Sequence, residues 1–322
     1  MRKINRVLVT GGAGFIGSHL VRQLLNEEEV EQLLVVDKLT YAGSQSHLTV
    51  PLQDSRCQFV QGDICDRELM ASLFQEHPLD GIFHLAAETH VDRSLVDSSP
   101  FIRSNVEGTG NLLNLAHEHR IPFLHCSTDE VYGPIPSPEK ATEKQALNPS
   151  SPYAVSKAAA DMLCLSKHRS YGSDVVITRC TNNYGSRQFP EKLIPFFVQR
   201  ALRDEPLPLY GNGLQIRDWI HVDDHCRGLI AAFRRGKSGE VFHFGGNCER
   251  TNIGLARSIL TALRKPHTLI ETVADRPGHD ARYALDITKS QMWFGWLPEK
   301  RFPDAFPDIV RALSAELGAT DI

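Results

Sequence analysis

Apolar residues recur along this chain with two alternating periods. Short unbroken runs such as Val7-Leu8-Val9 and Leu33-Leu34-Val35-Val36 alternate with longer segments in which apolar residues return every three or four positions, as at Ile16, Leu20 and Leu24. The first kind predicts strands buried on both faces, the second amphipathic helices. The spacing predicts a strand over 6–10, a helix over 15–25 closed by Asn26, and strands at 33–36 and 58–62. A helix at 66–76, a strand at 81–86, a helix at about 101–119 and a strand at 121–127 follow, then a helix at 152–171 and a strand at 174–179. Regular alternation of this kind implies an α/β fold, a doubly wound parallel sheet with helices on both faces. Past residue 180 the rhythm breaks. Thr181–Gly185 reads as a polar loop, a helix runs from Phe189 to about Arg203, and short strands fall at Pro208–Tyr210 and Arg217–His221. A helix at 223–235 and a strand at 240–244 look like a return to the first sheet, and the remainder reads as a smaller α+β unit.

The first strand stops at Gly11-Gly12-Ala13-Gly14-Phe15-Ile16-Gly17, where the first helix begins. Strand, glycine turn and helix together form the phosphate-binding opening of a Rossmann unit. Gly11 lets the chain turn, Gly14 admits a pyrophosphate to the backbone, and Gly17 lets helix and strand pack closely. The second strand delivers Asp37, 20 residues after Gly17. A carboxylate there accepts hydrogen bonds from a ribose and repels a 2′-phosphate, which favours NAD over NADP. Asp63-Ile64, placed for the adenine edge, Ala86–His90 and Ser127–Glu130 all fall at carboxyl ends of predicted strands, where such sheets bind ligands. The expected division is an NAD-binding domain over 1–180, rejoined by about 218–245, and a substrate domain from 181–217 and 246–322.

The densest chemistry lies between His125 and Lys157. Ser127-Thr128-Asp129-Glu130 carries two hydroxyls and two adjacent carboxylates, and Tyr153 and Lys157 stand one helical turn apart on a common face. Tyr153 has an ordinary pKa of about 10, so as a base near neutrality it needs a nearby cation, which Lys157 would supply while also holding the nicotinamide ribose. Ser127 or Thr128 would orient a substrate hydroxyl. A Tyr-x-x-x-Lys pair alone is common on ordinary helices; it gains meaning downstream of a dinucleotide fold and a Ser-Thr at a strand end.

Composition narrows the picture without changing it. With 322 residues, 41% hydrophobic and 23% charged, the chain matches ordinary soluble proteins and allows about two domains. A net charge of -4 argues against general affinity for nucleic acid or anionic membranes. Seven cysteines with no Cys-x-x-Cys pair read as reduced thiols, not as disulfides or a zinc site. His221-Val-Asp-Asp-His225 has helical spacing but lacks the Glu of a His-Glu-x-x-His metal motif, so a structural role is expected and no metal. The chain enters a strand at once, without a signal-like segment, and no run approaches the roughly 18 apolar residues of a membrane span, so a cytoplasmic protein is expected.

The glycine pattern at 11–17, the Tyr153–Lys157 pair and the length resemble the extended short-chain dehydrogenase/reductases. Within them, Asp37-Lys-Leu-Thr-Tyr-Ala-Gly43, Ala86-Ala-Glu-Thr-His-Val-Asp-Arg-Ser94, Ser127-Thr-Asp-Glu-Val-Tyr-Gly133, Asn182-Asn-Tyr-Gly185, Phe189–Pro195, Gln215–Trp219 and Ala274–Asp280 are similar to nucleotide-sugar 4,6-dehydratases, those acting on dTDP-glucose above all. The resemblance implies an NAD-dependent hydro-lyase that oxidises C4 of the sugar, eliminates water across C5–C6 and reduces C6. Tyr153, assisted by Thr128, would take the O4 proton, Glu130 the C5 proton, and Asp129 would protonate the departing hydroxyl. It further implies NAD contacts from Phe15, Ile16, Lys38, Leu39, Tyr41, Gly43, Leu85, Ala86, Ala87, Thr89 and Asn182. The nucleotide sugar would meet Thr89, His90, Asn183, Glu191, Lys192, Asn252, His279 and the diphosphate-binding Arg217 and Arg276, with Pro208 and Tyr210 near the base. Helices 101–119 and 152–171 resemble those of a four-helix homodimer contact. The chain departs from the pattern at Gly185-Ser186-Arg187, where the family often has Gly-Pro-Tyr beside the substrate, and it lacks the Trp-Tyr often found near the C-terminus. A UDP-sugar dehydratase, an epimerase of the same superfamily and a non-catalytic NAD-binding scaffold remain the alternatives; the last predicts loss of Tyr153, Lys157 or the acid pair, and all are present.

Overall fold

A computed structural model describes residues 1–317. Its strands are β1 (Arg6–Thr10), β2 (Gln32–Asp37), β3 (Cys57–Gln61), β4 (Gly81–His84), β5 (Phe123–Thr128), β6 (Val175–Cys180), β7 (Asn182–Tyr184), β8 (Leu207–Tyr210), β9 (Ile216–His221), β10 (Val241–Phe244), β11 (Glu249–Thr251) and β12 (Ile270–Val273). Seven of them form one parallel sheet in the order β10-β6-β5-β4-β1-β2-β3. The order reverses between β1 and β4, and the loops at that reversal open the crevice in which such sheets bind ligands. Apolar residues cover both faces: Val7, Val9, Leu33 and Val35 point to one side, Leu8, Leu34 and Val36 to the other. That is why these strands read as unbroken apolar runs. The segment 222–244 does return, since β10 pairs with β6 and helix Val222–Arg235 packs in the same core as the first helix.

A third core, around Tyr184, Phe197, Trp219, Leu260 and Phe306, holds the second lobe together. Two small sheets serve it, β11-β9-β7 and β12-β8. Several elements differ from the sequence-based expectation. Asn182–Tyr184, read as loop, is β7, because β9 supplies a parallel partner (Asn182↔Trp219) that lies far along the chain. The helix expected from Phe189 starts at Leu193, preceded by Pro190 and turns that position Glu191 and Lys192. The helix expected over 101–119 opens into a π-helical stretch at Ile102–Gly108 before Thr109–Glu118. Its widened turn presents Asn105, whose side chain bonds the backbone of Glu88 and the Ser156 hydroxyl. Wide turns of this type recur at functional sites. Among the described residues no helix is long and apolar enough to cross a membrane.

Candidate active site

The cleft lies over the carboxyl ends of β1, β2, β4, β5 and β6. Gly11, Gly14, Phe15, Ile16, Gly17, Asp37, Lys38, Gly43, Asp63, Ile64, Leu85, Ala86, Ala87, Thr89, Ser127, Thr128, Asp129, Glu130, Tyr153, Lys157, Asn182, Asn183 and Lys192 all line it. Gly11 has φ +72, and a Cβ there would stand 2.6 Å from the Ala86 nitrogen; one on Gly17 would stand 2.1 Å from the Gly11 carbonyl. Any larger residue would fill the cradle or push strand and helix apart. The first helix begins beyond Gly14 with no side chain capping it among the described residues, which leaves its N–H groups and positive dipole end for an anion. Asp37 accepts the amides of Ala13 (3.0 Å) and Leu39 (2.8 Å), an arrangement that holds its carboxylate at the cleft edge. Leu39 itself is in the left-handed region at φ +55. Lys38 pairs with Asp63 at 2.8 Å. Glycine cradle, helix end and strand-end carboxylate fit a dinucleotide without a 2′-phosphate.

Tyr153 and Lys157 owe their positions to a well-made helix. The Ser151 hydroxyl accepts the Ala154 amide at 3.1 Å, Pro152 occupies the first turn, and Gly172 at φ +68 ends the helix at Tyr171. The Tyr153 amide is itself bonded to Ser94 Oγ at 3.2 Å, and Lys157 Nζ donates to the Cys126 carbonyl at 2.8 Å. Burial, and after it the charge of Glu130, pushes the Tyr153 phenol well up, while Thr128 pulls it back as a hydrogen-bonding neighbour. Lys157 is anchored to the strand by its bond to the Cys126 carbonyl. Beneath it, the same helix carries Asp161, fully buried and bonded at 2.8 Å to Arg179 of β6.

Thr128 ends β5 and caps the short 3-10 turn Asp129–Tyr132, which turns both carboxyl groups into the cleft. Asp129 is buried, and burial together with neighbouring Glu130 raises it well above the ordinary carboxyl range. Glu130 is also raised by burial, but Arg217, Arg276 and Lys192 oppose the rise. Asp129 is thus held further towards its neutral form than Glu130, whose rise the three cations oppose, and this difference suits the pair to act as proton donor and proton acceptor.

Of the remaining predicted residues, Tyr41 and His90 belong to the first lobe and the others to the second. Arg217 stacks over the Tyr283 ring at 4.3 Å and donates to the carbonyls of Ile216 and Asp280. Lys192 Nζ donates to the Thr89 carbonyl at 2.9 Å. Glu191 pairs with Arg93 (3.2 Å) and lies 3.8 Å from His90. Arg276 pairs with Asp92 at 3.0 Å, Tyr210 reaches the same carboxylate at 3.4 Å, and His279 bonds Asp275 at 2.6 Å. Tyr41 packs edge-on against Phe189 and under the Arg93 guanidinium. Asn252 is buried at the start of its helix, and Pro208 lies on β8. His90, Glu191, Pro208, Tyr210, Arg217, Asn252, Arg276 and His279 do not reach the cofactor cleft itself. Ser186 and Arg187 turn elsewhere: the Ser186 carbonyl faces His19 and the Arg187 amide bonds Glu316, while the next two residues, Gln188 and Phe189, line the cleft. Sequence reasoning missed Asn105 and Cys126. Asn105 sits in an ordinary helical pattern, and Cys126 belongs to no spaced cysteine motif.

The chain matches the family model described as GDP-mannose 4,6-dehydratase over residues 8–309. It is 50% identical to a dTDP-glucose 4,6-dehydratase of an Actinoplanes species, over 95% of this chain and 96% of that one. To the dTDP-glucose 4,6-dehydratase 1 of Escherichia coli K12 it is 43% identical, over 92% and 89%. The chain belongs to the dTDP-glucose 4,6-dehydratase family. The crystal structure of the family member DesIV from Streptomyces venezuelae, which has NAD bound, superposes with a TM-score of 0.93 at 47% identity over 97% of both chains. A UDP-glucose 4-epimerase of Thermus thermophilus shares the fold at 30% identity and a TM-score of 0.88, over 98% of this chain and all of that one. Shape alone therefore does not separate dehydratase from epimerase, and family membership is read from the sequence identity.

Proposed function

We propose that this protein is an NAD-dependent dTDP-glucose 4,6-dehydratase, a hydro-lyase that forms dTDP-4-keto-6-deoxyglucose and water. The observation that carries the reading is the acid pair, Asp129 held towards its neutral form and Glu130 opposed by three cations, in the cleft that also holds Tyr153. An epimerase has no step that requires a buried proton donor beside a carboxylate. NAD in the cleft supplies a two-electron acceptor for C4 that later reduces C6, so none is consumed. Tyr153 takes the O4 proton, with Thr128 orienting the hydroxyl. The 4-ketone so formed acidifies the C5 proton, which Glu130 removes. Asp129 gives its proton to the leaving C6 hydroxyl, which departs as water. Arg217 and Arg276 suit the diphosphate, and Asn183, Glu191 and Lys192 the sugar side. In this reading residues 1–180, with 218–245, carry NAD, and 181–217 with 246–322 carry the nucleotide sugar.

We further infer a cytoplasmic homodimer. Val155, Met162 and Leu163 are exposed along one stripe of helix Pro152–Tyr171, and Ile102 is exposed on the neighbouring helix. Such a stripe supports burial against a second copy.

Incubation with dTDP-glucose tests the activity. A 4-keto-6-deoxy product without net NADH is expected, and a C4 epimer alone would refute it. UDP-glucose turned over faster than dTDP-glucose would move the assignment to a UDP-sugar dehydratase.

A further inference from the structure

The cysteine count conceals a pairing at the carboxyl end of the central sheet. Cys126 of β5 and Cys180 of β6 lie on adjacent strands, and His225 approaches them from helix Val222–Arg235. Their two sulfurs and one imidazole nitrogen all lie within 4.8 Å of one another. His225 is wholly buried, and its ring does not serve His221, which caps the start of the helix through the Asp223 amide.

The tautomer of His225 follows from its neighbours. The Asn183 amide donates through Nδ2 to the Thr181 carbonyl (3.0 Å) and to Cys180 Sγ (3.4 Å), so Oδ1 is the atom that faces His225 Nδ1 at 2.9 Å. An amide oxygen only accepts, hence Nδ1 carries the proton and Nε2 offers a lone pair. Nε2 is buried and has no partner among the described residues. An imidazole oriented through its other nitrogen, with a buried free lone pair near two thiols, is the arrangement that metal-binding histidines show.

We propose that Cys126, Cys180 and His225 form a zinc site that inhibits the enzyme when filled. Two thiolates and an imidazole select zinc or another soft ion over magnesium or calcium. Tetrahedral coordination with Zn–S of about 2.3 Å sets sulfurs about 3.8 Å apart, so the ligands draw in by about 1 Å at most. Both cysteines line the cofactor cleft, which gives the ion its entry path and its fourth position. Inhibition follows from position, since the two thiolates balance the charge of the ion: drawing Cys126 onto it displaces the strand end whose carbonyl holds the Lys157 ammonium and which continues into Thr128. The inhibitory part rests on the dehydratase reading; the binding part does not.

The test titrates the reduced holoenzyme with zinc alone against a chromophoric chelator and records the X-ray absorption of the bound ion. One ion per chain is expected, with two sulfurs at about 2.3 Å and a nitrogen at about 2.0–2.1 Å. Cys126→Ser and His225→Gln should each weaken binding at least about tenfold, and Asn183→Ala, which frees the imidazole, by about 10- to 100-fold. Turnover of the parent should fall with occupancy and recover with EDTA. A shell without sulfur, unchanged affinity in both ligand variants, or full turnover at full occupancy would overturn the proposal. The absorption spectrum uses the unaltered chain, so it decides even if a variant fails to fold.

Discussion

The Thr128 hydroxyl donates to Asp129 Oδ1 across 3.2 Å, while Asp129 Oδ2 lies buried with no partner among the described residues. A lone buried carboxylate oxygen is costly when charged and becomes a donor when protonated. Asp129→Asn keeps the shape and loses the proton. C4 oxidation should persist while elimination slows by about 10²- to 10⁴-fold, so NADH absorbance should build up after mixing with dTDP-glucose. Stability should move the other way. The folded chain holds a proton on Asp129 that the unfolded chain releases above the ordinary carboxyl range, so this group costs stability as pH rises through that interval. Asp129→Asn should therefore raise the unfolding temperature at neutral pH more than at acid pH.

Glu130 is assigned as the base at C5. Glu130→Gln should abolish exchange of the C5 proton with solvent deuterium, followed by NMR, by at least about 10²-fold. Exchange at the parent rate would show that another group removes the proton. Burial raises Glu130, so the acid limb of the exchange rate in the parent should lie above the ordinary carboxylate range, with loss of rate as pH falls through it.

The same substitution should act on Tyr153. The Glu130 charge helps to raise the phenol, so its removal lowers the phenol and should shift the alkaline-side requirement for C4 oxidation to lower pH. Single-turnover NADH formation against pH in Glu130→Gln and its parent would show the shift. Tyr153→Phe should lose C4 oxidation by about 10²- to 10⁴-fold with the fold intact.

Asp161 and Arg179 form a buried pair below the catalytic helix, and the Arg179 guanidinium also packs over the Tyr132 ring. Removing one charge strands the other. Asp161→Asn or Arg179→Met should each destabilise by about 3–5 kcal/mol in urea unfolding, and the double variant by less than the sum.

Met162 is 45% exposed at the centre of the apolar stripe. Met162→Glu should yield a monomer by light scattering if that stripe meets a second copy. An unchanged mass would place any dimer contact elsewhere.

Much of the fold was legible because strand and helix have different apolar periods and the parallel sheet is buried on both faces. The helices Phe15–Leu25 and Pro152–Tyr171 lie where the sequence pattern expected one at 15–25 and one at about 152–171, since Asn26, Ser151-Pro152 and Gly172 punctuate them. Asn182–Tyr184 reads as loop in the sequence because its strand character comes from β9, which no local pattern announces. The π-helical turn at Asn105 is hidden for the same reason: its cause is hydrogen bonding to Glu88 and Ser156, which lie elsewhere in the sequence.

By itself the sequence determined the sheet, the dinucleotide cradle at Gly11–Gly17, the Asp37 carboxylate and the Tyr153–Lys157 turn, because each depends on spacing within one or two elements. Only the tertiary structure decided how the acids differ. Asp129 and Glu130 are neighbours of the same type, and burial raises both; Arg217 opposes the rise in each, and Arg276 and Lys192, also from the second lobe, oppose it further at Glu130. It likewise tied Lys157 to the Cys126 carbonyl and brought Cys126, Cys180 and His225 together from three distant segments. Electrostatic fields and ligand sets form through space, and periodicity along the chain carries no record of them.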